Sequence, residues 1–254
     1  MIRLSVIFFD FKILLNLLFL ILVNAIILII KNKEKNVSKE NKTTVEIYKD
    51  KAKIYLDNSA EHDRLNLTKA KQKREKLERL IKDSFSSLPK QGKVFEIGSG
   101  DGTNAKFIES LGYEITASDI ADDFIRAIQN KGLKTIKFNA LEDDFIDKYY
   151  GIFCWRVFVH FTTEDVLKTI KKVYNALEYN GVFIFNAINR EIKSVDDEWI
   201  DFEGEYHMGA ERYYKYFRKE ELDDIIKQTK FKIKDFHKEG GENNNKWLVY
   251  VLEK

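Results

Sequence analysis

Two acidic residues and a set of closely spaced glycines carry the clearest chemical signal in the sequence. Glu96 lies near the end of a short apolar run, and glycines follow directly at Gly98, Gly100 and Gly102. Such glycines allow a tight turn and a close approach of the backbone to a ligand. A helix predicted from residue 103 offers free N–H groups to the same ligand. Asp119 follows 21 residues after Gly98, where a carboxylate can accept hydrogen bonds from ribose hydroxyls.

The elements that position these residues alternate between strand and helix. The hydrophobic pattern predicts strands at 94–97, 113–118, 135–138, 152–156 and 182–186. It predicts helices at 103–111, 123–130, 164–177 and 219–229, and two closing strands at 231–237 and 247–252. This alternation predicts a parallel sheet with right-handed crossovers.

The spacing of the glycines separates two classes of nucleotide site. A dinucleotide site of the G-x-G-x-x-G type would place its third glycine at position 103, which is Thr103 here. The stretch from Glu96 to Gly102 instead resembles the acidic-x-G-x-G-x-G signature of class I S-adenosylmethionine-dependent methyltransferases. Residues 154–161 and 176–185 also resemble segments of that family. The resemblance implies a Rossmann-like α/β fold, with a mostly parallel seven-stranded sheet, helices on both faces and an antiparallel last strand. It also implies S-adenosyl-L-methionine as the cofactor.

The resemblance assigns a cofactor-binding role to several residues. Those in and after the glycine stretch are Glu96, Gly98, Ser99, Gly100, Gly102, Asp119 and Ile120. Asn139 stands where the family often has an aspartate that binds adenine, with Ala140 as its apolar neighbour. Trp155 and Arg156 are expected to line the methionine end of the cofactor or the substrate. Two alternatives remain open: Asp119 as a helix cap, and Asn139 as part of a plain turn.

Two histidines are candidates for a general base. His160 follows the fourth strand, and His207 lies in a polar and aromatic insertion at 189–216 that is expected to form a substrate lid. A hydroxyl acceptor would need such a base, whereas an amine could lose its proton to water. His160 has a second interpretation, in which it is structural and bonds the loop that follows it.

The N-terminus differs in composition from the rest of the chain. No charge interrupts residues 13–30, a length close to that of a bilayer core, so a transmembrane anchor is predicted over residues 1–31. A polar linker is predicted at 32–44 and the catalytic domain at 45–254, with a helical cover at 45–90. Lysines after the apolar run favour a cytoplasmic domain. A cleaved signal peptide is the alternative, and a start downstream of the run would leave a cytoplasmic protein.

Composition narrows the possible partners. The net charge of +2 gives no strong basic field, so we expect no nucleic-acid partner. Cys154 is the only cysteine, and the four histidines lack metal-ligand spacing, so no intrachain disulfide and no zinc site are predicted. The sequence therefore predicts methyl transfer to a small-molecule or membrane-proximal acceptor. An NAD-dependent oxidoreductase and a non-catalytic S-adenosylmethionine-binding module are the alternatives.

Overall fold

The computed structural model describes residues 16, 18–24, 37–65, 67–203, 207–241 and 243–254. The chain divides into two units, Met1–Asn36 and Val37–Lys254, and the second unit carries the predicted site. Most of the predicted anchor and residues 32–36 of the predicted linker lie outside the described residues. Within the described ranges, no helix has both the length and the apolar character needed to cross a membrane.

The second unit contains the predicted alternation of helices and strands. Its helices are α1 (Lys39–Leu65), α2 (Leu67–Phe85), α3 (Thr103–Ser110), α4 (Asp122–Asn130), α5 (Thr163–Ala176) and α6 (Lys219–Lys227). Its strands are β1 (Lys93–Ile97), β2 (Glu114–Asp119), β3 (Thr135–Lys137), β4 (Tyr149–Cys154), β5 (Leu177–Asn189), β6 (Asp197–Ile200), β7 (Arg212–Phe217), β8 (Lys232–Glu239) and β9 (Trp247–Glu253). Short 3₁₀ turns lie at Phe158–His160 and Arg190–Ile192.

The strands form one mixed sheet. Its parallel part has the order β3-β2-β1-β4-β5. The last strand, β9, is antiparallel to β5 on one side and to β8 on the other. The mostly parallel sheet and the antiparallel last strand are therefore confirmed.

The central strands are apolar along their length because both faces of the sheet are covered. Phe95 and Ile97 of β1 pack into a cluster that includes Val166 and Ile170 of α5. Val94 points to the opposite face, into a cluster that also contains residues of α2, α3 and α4. Helices thus cover both faces, and the loops after the parallel strands emerge together at one edge, the carboxyl edge.

The sheet has nine strands in the described residues rather than the predicted seven. The two additional strands, β6 and β7, form an antiparallel hairpin within the predicted lid at 189–216. Ile188 of β5 pairs with Trp247 of β9 and with Tyr216 of β7. Near the carboxyl end of β5, β7 therefore pairs with the same side of β5 that pairs with β4 earlier along the strand. This position places the hairpin over the carboxyl edge.

Helix α1 also differs from its prediction. It begins at Lys39, inside the stretch that was predicted to be a polar linker. The polar side chains of Asn41 and Thr44 are buried, and Thr44 Oγ1 accepts a hydrogen bond from the backbone N–H of Tyr213 at 3.1 Å. Thr44 thus contacts β7. A segment whose polar composition is typical of a tether is therefore part of the folded unit.

Candidate active site

The loop after β1 has the backbone geometry that its glycines predicted. Gly98, Gly100 and Gly102 all have positive φ, at 67°, 54° and 78°. A Cβ at Gly98 would lie 2.4 Å from Cγ2 of Val157, and one at Gly102 would lie 3.1 Å from Cγ1 of Ile128. Packing therefore excludes a side chain at Gly98 and crowds one at Gly102, in addition to the constraint that the positive φ sets at both positions.

Gly100 is different, because a Cβ there would meet no atom within 4 Å. This glycine borders open space at the tip of the loop. Ser99 beside it is buried, and its backbone N–H donates to the carbonyl of Ser118 at 2.7 Å. The Ser99 hydroxyl oxygen accepts from the Ser118 N–H at 3.1 Å. Ser99 thus attaches the loop to β2 and leaves the space at Gly100 clear.

Glu96 lies beneath this loop and is fully buried. In the described part of the chain, neither of its carboxylate oxygens has a hydrogen-bond partner. Burial raises the pKa of Glu96 to about 7, and the nearby side chains of Ser99 and Asn104 partly oppose that rise. A buried carboxylate without partners is unfavourable in isolation and calls for a donor.

Asp119 at the end of β2 binds the tip of the loop. Its Oδ2 accepts from the N–H of Gly100 at 2.9 Å, and its Oδ1 accepts from the N–H groups of Ile120 and Ala121 at 2.7 and 3.2 Å. Burial raises the pKa of this carboxyl to about 6 despite these three bonds. Asp119 therefore places an acceptor next to the open space at Gly100.

Asn139 and Ala140 follow β3 at the same edge. The Asn139 side chain makes turn contacts: Oδ1 accepts from the N–H of Leu141 at 3.0 Å, and Nδ2 donates to Glu142 at 2.9 Å. Its predicted contact with adenine stays a prediction, since the structure shows the turn. Ala140 is buried, and Ile120 beside Asp119 is half-buried.

Trp155 and Arg156 follow β4, the neighbour of β1. Trp155 is half-buried and stacks on Phe153, with ring centroids 5.6 Å apart. Arg156 has a φ of 62°, which is unusual for a residue with a side chain. Its backbone N–H donates to Oδ1 of Asn186 on β5 at 2.7 Å. The two predicted residues therefore lie at the carboxyl edge, as expected from their position after β4.

His160 occupies a buried hydrogen-bond network rather than an accessible position. Its Nδ1 lies 2.7 Å from the carbonyl oxygen of Tyr213, so Nδ1 carries the proton and Nε2 accepts from the hydroxyl of Tyr48 at 2.9 Å. Arg212 donates to the same Tyr48 oxygen at 3.1 Å. Burial and, to a lesser extent, the Arg212 charge lower the pKa of His160 to about 3. The structural interpretation of His160 fits this geometry, in which both ring nitrogens are hydrogen-bonded, and its role as a general base stays a prediction.

His207 is exposed on the outer side of this network. Its Nδ1 lies 3.0 Å from Asp201, whose other oxygen lies 3.8 Å from Nη2 of Arg212. Asp201 thus separates His207 from the buried Arg212. The predicted role of His207 as a base stays a prediction.

A comparison with known protein families decides between the two classes of cofactor site that the glycine spacing left open. The sequence model of a family described as "Methyltransferase domain" matches residues 69–235. The chain belongs to this family. It is a class I methyltransferase by fold, and none of the similar proteins described below supports the oxidoreductase alternative.

Similar proteins extend the comparison. The curated relative YqeM of Bacillus subtilis (strain 168), named as a methyltransferase, is 25% identical over 110 residues, which are 40% of this chain. The match spans less than half of that relative, 44% of its length. The crystal structure of the PH0226 protein from Pyrococcus horikoshii OT3 matches with a TM-score of 0.60 and 22% identity. It covers 72% of this chain and 91% of that one.

A third similar protein has a cofactor in its crystal structure. Magnesium protoporphyrin IX methyltransferase from Synechocystis PCC 6803, with bound S-adenosylmethionine, matches with a TM-score of 0.55 and 13% identity. The match covers 72% of this chain and 78% of that one. At this identity the match shows a shared fold.

The residues of the methyltransferase site fit S-adenosylmethionine. The open space at Gly100 accommodates a ligand against the backbone, and a side chain at this position would fill it. The two orphaned oxygens of Glu96 would accept from an ammonium group, which this cofactor has. Asp119 presents a carboxylate at the position where a ribose is expected.

Three residues of the site were not among the sequence predictions: Tyr48, Arg212 and Asn186. Tyr48 lies in the predicted helical cover at 45–90, and Arg212 lies in the predicted lid at 189–216. For Asn186 a signal was present, because it is a polar residue in the middle of the apolar stretch 182–188. A buried amide in such a strand indicates a specific hydrogen bond.

Proposed function

We propose that this protein transfers a methyl group from S-adenosylmethionine to a small-molecule acceptor. The observation that carries the proposal is the pair of features at the glycine loop: open space at Gly100 and a buried Glu96 without partners. Membership of the methyltransferase family supports the choice of cofactor. When bound, the cofactor supplies a methyl group activated by its positively charged sulfur.

The chain's own residues bind and orient the reactants. Gly98, Gly100 and Gly102 hold the loop, and Asp119 and Glu96 provide the acceptors for the ribose and the amino group. Trp155 and Arg156 lie beside the loop, at the end of β4, and face the acceptor. Positioning of two reactants contributes much of the rate enhancement in such displacements.

The acceptor in this proposal needs no strong protein base. His160 is neutral, and both of its ring nitrogens are already engaged. His207 is exposed and paired with Asp201. A neutral amine can lose its proton to water, and a carboxylate has no proton to lose. Neither kind of acceptor therefore needs a histidine as a base.

We also propose that residues 13–30 attach the catalytic unit to a membrane, with that unit on the cytoplasmic side. The uncharged run and the lysines after it support this assignment. In a vesicle flotation assay the full chain should float with lipid, whereas a chain that begins at Val37 should stay at the bottom. Equal behaviour of the two chains would contradict a membrane anchor.

A transfer assay tests the proposed activity. The protein is incubated with cofactor labelled in its methyl group and with the small-molecule fraction of a cell extract, and labelled products are separated by chromatography. Asp119→Asn should lower the rate at least about tenfold, because a charged acceptor is stronger than a neutral one. The matched control is Asp122→Asn, three residues away on the exposed surface, which should retain the rate. Cofactor binding with no labelled product in any fraction would indicate a non-catalytic module.

A further inference from the structure

The end of β5 carries polar groups that the proposed function does not use. By the register of the sheet, Ile97 of β1 lies beside Cys154 of β4, which lies beside Phe185 of β5. One residue further toward the carboxyl edge, Gly98, Trp155 and Asn186 therefore share a row across the sheet. The glycine loop holds the cofactor at the β1 end of this row, so the β5 end is left for the acceptor.

Asn186 is fully buried and only half satisfied. Its Oδ1 accepts from the N–H of Arg156, but Nδ2 has no hydrogen-bond partner among the described residues. An unsatisfied buried donor costs about 1–3 kcal/mol of folding free energy. A ligand atom that accepts a hydrogen bond would remove this cost.

Arg156 is fixed next to that donor. Its left-handed φ of 62° is held by the Asn186 bond, and its guanidinium lies over the ring of Trp247, 5.6 Å from the ring centroid. Backbone strain of this kind persists only where surrounding contacts enforce it. Arg156 and Asn186 are thus joined through the Arg156 backbone N–H, and both lie at the carboxyl edge, one with a guanidinium and one with an amide donor.

We propose that Arg156 and the Nδ2 of Asn186 bind an anionic oxygen of the acceptor, and that the acceptor carries a carboxylate. Both groups donate and neither the guanidinium nor the amide nitrogen accepts, so their ligand is a hydrogen-bond acceptor. A planar guanidinium pairs most favourably with a carboxylate, through two parallel hydrogen bonds. This inference rests on the proposed function, and it names the class of the acceptor.

The test uses benzoate and benzamide, which have nearly the same shape and differ in charge. Each is titrated into protein saturated with S-adenosylhomocysteine, and saturation-transfer NMR measures the dissociation constants. The wild type should bind benzoate at least about tenfold more tightly than benzamide, as expected for a charge-assisted pair. Arg156→Gln should remove this preference. Arg126→Gln, on the exposed face of α4, is the matched control and should keep it.

A second variant tests the amide. Asn186→Asp keeps the oxygen that holds the Arg156 N–H, but replaces the Nδ2 donor by an oxygen that repels an anion. We expect it to weaken benzoate binding at least about fivefold, with benzamide much less affected. Circular dichroism of each variant shows whether the fold is retained.

Three results would overturn the subsite. They are an equal affinity of the wild type for benzoate and benzamide, a benzoate preference that survives in Arg156→Gln, and a loss of S-adenosylhomocysteine affinity in Arg156→Gln as large as the loss of benzoate affinity. The last result would assign Arg156 to the cofactor's own carboxylate. A wild type that does not bind S-adenosylhomocysteine at all would contradict the proposed function itself, and the subsite with it.

Discussion

Burial raises the pKa of the Glu96 and Asp119 carboxyl groups above their ordinary values. For Glu96 the folded-state pKa of about 7 lies above the ordinary value of 4.5. The folded protein therefore holds its proton to higher pH than the unfolded chain does. The stability that Glu96 contributes is complete below pH 4.5 and declines as the pH rises to about 7.

Replacement of Glu96 by Gln removes this decline, because the amide is neutral at every pH. Relative to the wild type, Glu96→Gln should gain roughly 3 kcal/mol in the free energy of unfolding between pH 4.5 and pH 8. Urea unfolding at the two pH values measures this difference. Glu164→Gln, with an exposed side chain, is the control and should show no such gain. A difference from wild type that is the same at both pH values would contradict the prediction.

At the residue scale, the sequence predicted the tight turn at the glycines and singled out Glu96 and Asp119, because the types and spacing of these residues are themselves the signal. For His160 it left two roles open, because a general base and a structural histidine look identical in one dimension. The partners that decide between them, Tyr48 and Tyr213, are 112 and 53 residues away along the chain. Only the fold brings these groups together.

At the element scale, α1 and the β6–β7 hairpin together cover the carboxyl edge. Tyr48 of α1 packs against Phe124 of α4, with ring centroids 6.2 Å apart, and hydrogen-bonds to His160 and to Arg212 of β7. Neither cover was predicted in this form. The polar residues at 39–44 indicated a linker. The residues at 189–216 showed no clear alternation of polar and apolar residues. Each segment is buried by the other, so neither has a pattern of its own that predicts its burial.

A prediction for this interface concerns Thr44, which accepts the N–H of Tyr213. Thr44→Val keeps the shape of the side chain and removes the acceptor, so a buried N–H is left unsatisfied. The free energy of unfolding should fall by about 1–3 kcal/mol. Thr68→Val, at an exposed position of α2, should change it by less than about 0.5 kcal/mol. Denaturant unfolding compares the two, and equal effects would show that α1 does not dock on β7 through this bond.

At the scale of the whole molecule, periodicity was enough to predict the five parallel strands, their crossover helices and the two closing strands. Parallel strands that are buried on both faces have long apolar runs, and the glycines that end helices mark the boundaries between elements. The polar edge that holds the site was less predictable. Its residues come from α1, β1, β2, β5 and β7 and from the loops after β1 and β4, and their contacts join distant parts of the chain.

We infer that the space at Gly100 receives S-adenosylmethionine. Calorimetric titration of residues 37–254 with S-adenosylhomocysteine, and separately with NADH, tests it most directly. The protein should bind the first ligand alone. Gly100→Ala should weaken this binding at least about tenfold, because its methyl group enters the ligand space without meeting any protein atom.

The matched control is Gly112→Ala, which also has a positive φ, 93°, and equally open surroundings, but lies just after α3, at the end of that helix opposite to the glycine loop. It should bind S-adenosylhomocysteine as the wild type does. Wild-type affinity in Gly100→Ala, or binding of NADH instead, would contradict the account.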